Sequence, residues 1–280
     1  MNTTKENLLA HLQQIARPRN PDMDQGGHFY VREYIRQELA QFGTVKEHFF
    51  TFRERKFCNL ILDICSSSAI KDKPPILIGA HYDSVIGSIG ADDNATGVAV
   101  LLEMAKYFSC NGANSPIRFV AFDLEEYGCL GSHAYAHQLQ SQNLPLRLVL
   151  SLEMLGYCDR TPNSQSYPTP LQYIYPSVGN FIALVGNNKA LWDMLRIHRS
   201  IKKHVNCQWL PAGSKGSLVP DTRRSDHAPF WDCGYKAIMV TDTANMRNPH
   251  YHQPTDTIET IDMDFLTNVN QGLIDITAKL

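Results

Sequence analysis

Positive charge is nowhere concentrated in this sequence. Its 26 Lys and Arg against 28 Asp and Glu leave a net charge of −2, and no long basic run supplies the electrostatic footprint of a nucleic-acid binder. Apolar runs of the ~20 residues that cross a bilayer are also missing. The start, Met1 to Asn7, passes straight into an amphipathic pattern without the apolar core and small-residue cleavage site of a signal peptide. A soluble, cytoplasmic protein is therefore expected. Cysteine pairs are absent as well: Cys58, Cys65, Cys110, Cys129, Cys158, Cys207 and Cys233 are scattered, odd in number and include no CxxC, so reduced thiols are expected rather than a disulfide framework. There is no internal repeat, no low-complexity tract and no GxSxG elbow. Ser225-Asp226-His227 cannot be a serine-protease triad, because three adjacent residues do not reach triad geometry.

What is present is enough apolar residue, 43% of the chain, to bury one substantial core, and residues 1–280 read as a single domain. Thr3 with Glu6 has the form of a capping box ahead of Leu8, Leu12 and Ile15. Val31, Ile35, Leu39 and Phe42 form a second helical stripe, with Gly43 placed to end it in the left-handed conformation. Strands are expected over Phe57–Cys65, Ile76–Ala80, Ile117–Asp123, Leu148–Leu152 and Ala237–Thr241. The last helix carries Phe265, Leu266, Val269, Leu273 and Ile276. The expected fold is an α/β three-layer sandwich, a central mixed, mostly parallel sheet flanked by helices. From about 158 to 224 the chain turns polar, aromatic and proline-rich, with one clear strand (Phe181–Val185) and one helix (Lys189–Ile201). This excursion is expected to form a pocket wall.

Three apolar strands end in metal-ligating residue types: His81 with Asp83, Asp123 with Glu125 and Glu126, and Glu153. Asp92 and Asp93 follow the first of them in a glycine-punctuated loop, and in an open α/β sheet the ligand crevice lies beyond the carboxyl ends of the strands. So many acids together repel and raise one another's pKa, and require protons or divalent cations. Histidines among them favour zinc over magnesium or calcium. Singly, each has a plainer role: Asp92 and Asp93 as turn and capping residues, Glu125-Glu126 as complements to a helix dipole, His252 as a solvated loop residue.

Taken in order, HYDS, GADDNATG, FDLEEYGCLGS, SLEMLGY, RRSDHAPF and NPHYHQPTDT resemble the co-catalytic dizinc exopeptidases of metallopeptidase family 28, which include bacterial aminopeptidases and glutamate carboxypeptidases. The resemblance runs from about Asn59 to the end. It implies two zinc ions per chain: His81 on one, Asp93 bridging both, Glu126 with His252 on the other, and Glu153 completing the shell of the His81 metal. Many relatives have aspartate where Glu153 stands. Asp83 would hold His81 in its ligating tautomer, and Glu125 would be the base that activates water on a peptide carbonyl. An aminopeptidase acting on peptides is the favoured reading, with Glu125 and Glu153 available to a substrate ammonium. Arg223, Arg224, Asp226 and His227 are candidate substrate-binding residues, and if the two arginines meet a terminal carboxylate the enzyme is a carboxypeptidase; pairing of one of them with Asp221 or Asp226 is the plainer alternative. Glutaminyl cyclases, which resemble the same family and use a single zinc, are the other enzymatic alternative. A non-catalytic binding module on the same fold is the reading from another class. The oligomeric state is not legible.

Overall fold

The computed structural model describes residues 2–65, 70–217 and 219–280. Helices α1 (Asn2–Ile15) and α2 (Gln25–Ala40) precede strands β1 (Val45–Phe52), β2 (Arg55–Ile64) and β3 (Ile76–His81). Then come α3 (Gly97–Asn111), β4 (Ile117–Phe122), α4 (Leu130–Ser141), β5 (Leu148–Glu153), β6 (Phe181–Gly186), α5 (Leu191–Ile201), β7 (Asn206–Pro211), α6 (His227–Asp232), β8 (Ala237–Thr241) and α7 (Met263–Thr277). All eight strands join one sheet in the order β1-β2-β4-β3-β5-β8-β6-β7. β4, β3, β5 and β8 run parallel at its centre. β2 and β6 flank them antiparallel. The sheet is mixed, as expected.

Strand alternation divides the core between the two faces. Ile76, Ile78 and Ala80 of β3, with Leu148, Leu150 and Leu152 of β5, pack into the larger cluster, which also holds Leu8, Val31, Val98, Ile197 and Leu273 from α1, α2, α3, α5 and α7. The alternate residues Leu77, Val120, Val149 and Ala237 pack with Tyr135, Leu139, Phe230 and Trp231 of α4 and α6. By the same alternation His81 and Glu153 point to the α4/α6 side, at the carboxyl ends of their strands.

Several local expectations are corrected. α1 begins at Asn2, so Thr3 lies inside its first turn and is not its cap. α2 ends at Ala40 on a right-handed Gln41 (φ −66°), Phe42 N donating to Leu39 O at 3.0 Å, and Gly43 is not left-handed. Two strands were not anticipated, β1 and β7. The 158–224 segment is less an excursion than expected, because β6, α5 and β7 build one end of the sheet. Among the described residues no helix is long and apolar enough to cross a membrane.

Candidate active site

β3, β4 and β5 end side by side, and two loops complete what they start. His81 closes β3. Glu125 and Glu126 follow β4 after Leu124, whose φ of 56° turns the chain sharply. Asp93 arrives on the loop after Gly90, and His252 on the loop before α7. Gly90 is required where it stands: φ is 55°, and an added Cβ would collide with Asp93 O and the Arg19 guanidinium.

These side chains converge. His81 Nε2 lies 3.2 Å from Asp93 Oδ1 and 3.5 Å from Glu153 Oε1. The other oxygen of Asp93, Oδ2, is 3.1 Å from His252 Nε2, which is 3.3 Å from Glu126 Oε2. Asp93 thus has one oxygen in each of two adjoining groups. Ligand atoms of His81, Asp93 and Glu153 lie within 4.8 Å of one another, as do those of Asp93, Glu126 and His252. His81 Nε2, Asp93 Oδ1 and Glu126 Oε1 are buried without a hydrogen-bond partner. Buried polar atoms left bare in this way are costly unless something else satisfies them. Imidazole and carboxylate donors at this spacing fit a pair of zinc-class cations.

The electrostatics agree. Burial, with Glu153, Glu126 and Asp226 nearby, pushes the Glu125 carboxyl well above its ordinary range, and burial beside Asp93 raises Glu126 to about 7. Burial disfavours charge on both histidines, but the acids outweigh it: His81 is raised well above its ordinary value and His252 to about 10. This is a cluster of unlike charges short of positive charge.

Around it stands a supporting scaffold. Asp83 is 3.4 Å from His81 Nδ1 and accepts the backbone N–H of Glu125 (3.0 Å) and Glu126 (3.2 Å), so one carboxylate fixes both strand ends. Ser225 Oγ donates to Glu153 Oε2 at 2.6 Å, leaving the other oxygen toward His81. Asp256 accepts from the backbone N–H of Asp92 and Asp93. Cys129 Sγ, 3.6 Å from Glu125 Oε1, donates to it. Tyr251 stacks on His252 with ring centroids 3.8 Å apart. Arg19, fully buried, donates to the carbonyls of Tyr82, Ile89, Gly90 and Asp93.

Other candidates are not brought into the cluster. Asp123, grouped with Glu125 and Glu126 as a strand-end acid, sits behind them, held by His28 Nε2 at 2.7 Å and by Tyr82 OH, which donates at 2.6 Å. Asp92 is occupied by Gly156 N and Asn248 Nδ2. Arg223 pairs with Asp232 at 2.6 Å, not with Asp221 or Asp226, and donates to Lys215 O. Arg224 does line the pocket, with its guanidinium 5.8 Å from the Tyr251 ring centroid. Asp226 and His227 are fully buried. Asp226 backs Glu125, and burial raises it to about 7.

His227 is a buried, pH-sensitive residue. Its Nε2 lies 2.6 Å from Thr222 O and its ring packs edge-on to Trp231; burial pushes its pKa down to about 3. The folded state therefore binds fewer protons than the unfolded state between pH 6.5 and 3, and stability falls with acid across that window, by roughly 4–5 kcal/mol at the limit. Denaturant titrations of wild type and His227→Gln between those values should diverge in slope. Parallel curves would exclude the effect.

Beside Glu153 a pocket opens over the β6, β7 and β8 end of the sheet. Phe181, Val185, Trp209, Leu210 and Met239 form its base, with Tyr167, Leu171 and Tyr175 along one wall and Tyr251 at its mouth.

The sequence pattern of Peptidase family M28 matches residues 59–277. The chain belongs to that family. It is 31% identical to the Escherichia coli protein YfbL, itself uncharacterized, over 97% of this chain and 86% of that one. To aminopeptidase YwaD of Bacillus subtilis it is 30% identical over 74% of this chain and 41% of that protein. The chain spans less than half the length of the curated aminopeptidases it matches. Among solved structures, BSAP, a zinc aminopeptidase of Bacillus subtilis, superposes with a TM-score of 0.61 at 26% identity, over 81% of this chain and 51% of that one. A Tannerella forsythia glutaminyl cyclase superposes at 0.71 and 21% identity over 99% and 98%, a likeness of fold. M28 membership makes the chain a member of a peptidase family whose relatives include zinc aminopeptidases.

Proposed function

We propose that residues 1–280 form one catalytic unit, a dizinc aminopeptidase that removes the N-terminal residue of peptides. The observation that carries the reading is the divided Asp93 carboxylate, with one oxygen 3.2 Å from His81 and the other 3.1 Å from His252. His81, Asp93 and Glu153 would hold one cation, and Asp93, Glu126 and His252 the other. Such cations, when bound, acidify a water and polarise the scissile carbonyl.

The rest is done by the chain. Glu125, next to a ligand but outside the divided set, takes the water's proton and passes it to the leaving amine. Cys129 orients its carboxyl, and Asp83 fixes the backbone that carries it. Glu153 and Glu125 give the mouth of the pocket the negative charge that a substrate ammonium requires. The aromatic and aliphatic base of the pocket favours a large apolar first side chain. Cys58, Cys129 and Cys207 are buried thiols, which supports the cytoplasmic setting that belongs to this reading.

A carboxypeptidase would rest on Arg224, which lines the same pocket. The test is a panel of short peptides, free and N-acetylated, with zinc-loaded protein. Release of Phe, Tyr, Leu or Met from free peptides, absent from acetylated ones and lost with a chelator, is the expected result. Cleavage of acetylated peptides from the carboxyl end would replace it with the carboxypeptidase. Cyclisation of N-terminal glutamine without any hydrolysis, with one zinc per chain, would replace it with the cyclase.

A further inference from the structure

Away from that cluster, α4 carries a second group of metal-ligating side chains. His133 and His137 are one helical turn apart, the first half-buried and the second exposed, with rings within 15° of parallel and centroids 6.2 Å apart. Cys233, the first residue after α6, places its Sγ 3.9 Å from His137 Nδ1. The helix pairing holds it there, because Gln140 Nε2 of α4 donates to Cys233 O at 3.3 Å. None of the three takes part in the catalytic cluster.

We propose that His133, His137 and Cys233 form an accessory site for a zinc-class cation that staples α4 to the end of α6. Two imidazoles and a thiolate are a borderline-soft donor set. Tetrahedral zinc with its usual bond lengths sets nitrogen and sulfur about 3.6 Å apart, and the His137–Cys233 separation of 3.9 Å is within a few tenths of that. His133, four residues from His137 on the same helix face, is not within ligand distance of the pair in this structure and would have to turn toward it to close the set. Asp232 is committed to Arg223 at 2.6 Å, so the protein supplies three ligands and water the fourth. Burial and the neighbouring Asp232 keep the Cys233 thiol protonated. Binding therefore forms the sulfur–metal bond and releases that proton to solvent.

The staple would tie together two elements that back the catalytic cluster. α4 begins just after Cys129, the donor to Glu125, and α6 begins just after Asp226.

Zinc alone is the probe, with metal counted by native mass spectrometry and Cys233 alkylation by iodoacetamide followed by peptide mapping. The wild type should bind one zinc more than the His133→Ala/His137→Ala variant, and zinc should slow Cys233 alkylation about tenfold or more in the wild type only. Peptidase activity should be equal in both. Asp93→Ala should lose catalytic-cluster zinc and keep the accessory one, so failure of this site and failure of the aminopeptidase reading are separate results. Equal zinc counts with unprotected Cys233 would overturn the proposal, as would an extra zinc that survives in the double variant.

Discussion

Glu125→Gln should lower kcat by a factor of about 10²–10⁴ while zinc content and KM stay near those of the wild type. The substitution keeps the shape of the side chain and removes only its ability to take a proton. Glu125 is buried beside Glu153, Glu126 and Asp226, which hold its carboxyl well above the ordinary range. Its contact to His81 is long, 3.9 Å, against 3.2 Å for Asp93. Glu125 also lies within ligand distance of His81 and Glu126, but it is the one acid of the cluster outside the two groups that share Asp93, which leaves it to exchange a proton. The variant also takes one acid out of a crowded site, so its melting temperature should not fall. Activity within tenfold of the wild type in a variant that still binds two zincs would remove Glu125 from the mechanism and turn attention to the acids behind it.

The parts legible in the sequence were those with a repeated physical signal. Central strands, buried on both faces, show as apolar runs, and β3, β4, β5 and β8 stood out for that reason. The two strands that escaped notice, β1 and β7, are the two edges of the sheet. β1 has no fully buried residue, and its Val-Lys-Glu-His-Phe-Phe-Thr-Phe alternates too weakly to separate from a loop. β7 pairs on one side only and buries Cys207 alone. Edge strands are defined by their neighbour's hydrogen bonds, which a local pattern does not contain.

The site divides along a similar line. His81, Asp83, Asp93, Glu125, Glu126, Glu153 and His252 were marked by residue type at strand ends and in ordered motifs, and the structure brings them together. What holds them there was hidden, because a hydrogen bond to a distant main-chain atom leaves no trace in residue spacing. His28, on an otherwise apolar helix stripe, reaches Asp123 across 95 residues, and Arg19 in Pro18-Arg19-Asn20-Pro21 has the look of a surface turn. Arg223 shows the same limit. The sequence offered Asp221 or Asp226 as ion-pair partners for one of the two arginines, yet Asp232, on the far end of α6, is the one that Arg223 meets.

Arg19→Met should cost this protein about 3–5 kcal/mol of stability, and its melting temperature on the order of 10 °C. The guanidinium is fully buried and donates to the carbonyls of Ile15, Arg17, Tyr82, Ile89, Gly90 and Asp93. Methionine fills similar volume and donates to none of them; Ile15 O and Gly90 O keep the N–H of Arg17 and Ala95, so the loss falls on the few acceptors left bare, at the lower end of about 1–3 kcal/mol each. Charge adds to the loss. Burial lowers the Arg19 pKa against the pull of Asp93, Asp256, Asp83 and Glu126, so the residue is a fixed cation among acids that otherwise rely on His81, His252 and bound metal. Without it the loop from Gly90 to Asp93 loses its clamp and the divided carboxylate its position, and zinc should dissociate more readily from the variant. Arg19→Lys should fall between the two, since one ammonium has three donors where the guanidinium has five. Arg36→Met, which removes a solvent-screened pair with Glu33 at 2.7 Å, is the control and should leave stability close to that of the wild type. An Arg19→Met protein that melts within two degrees of the control and retains its zinc would show that the carbonyls find other donors, and that the bonds from Asp256 hold the loop without the guanidinium.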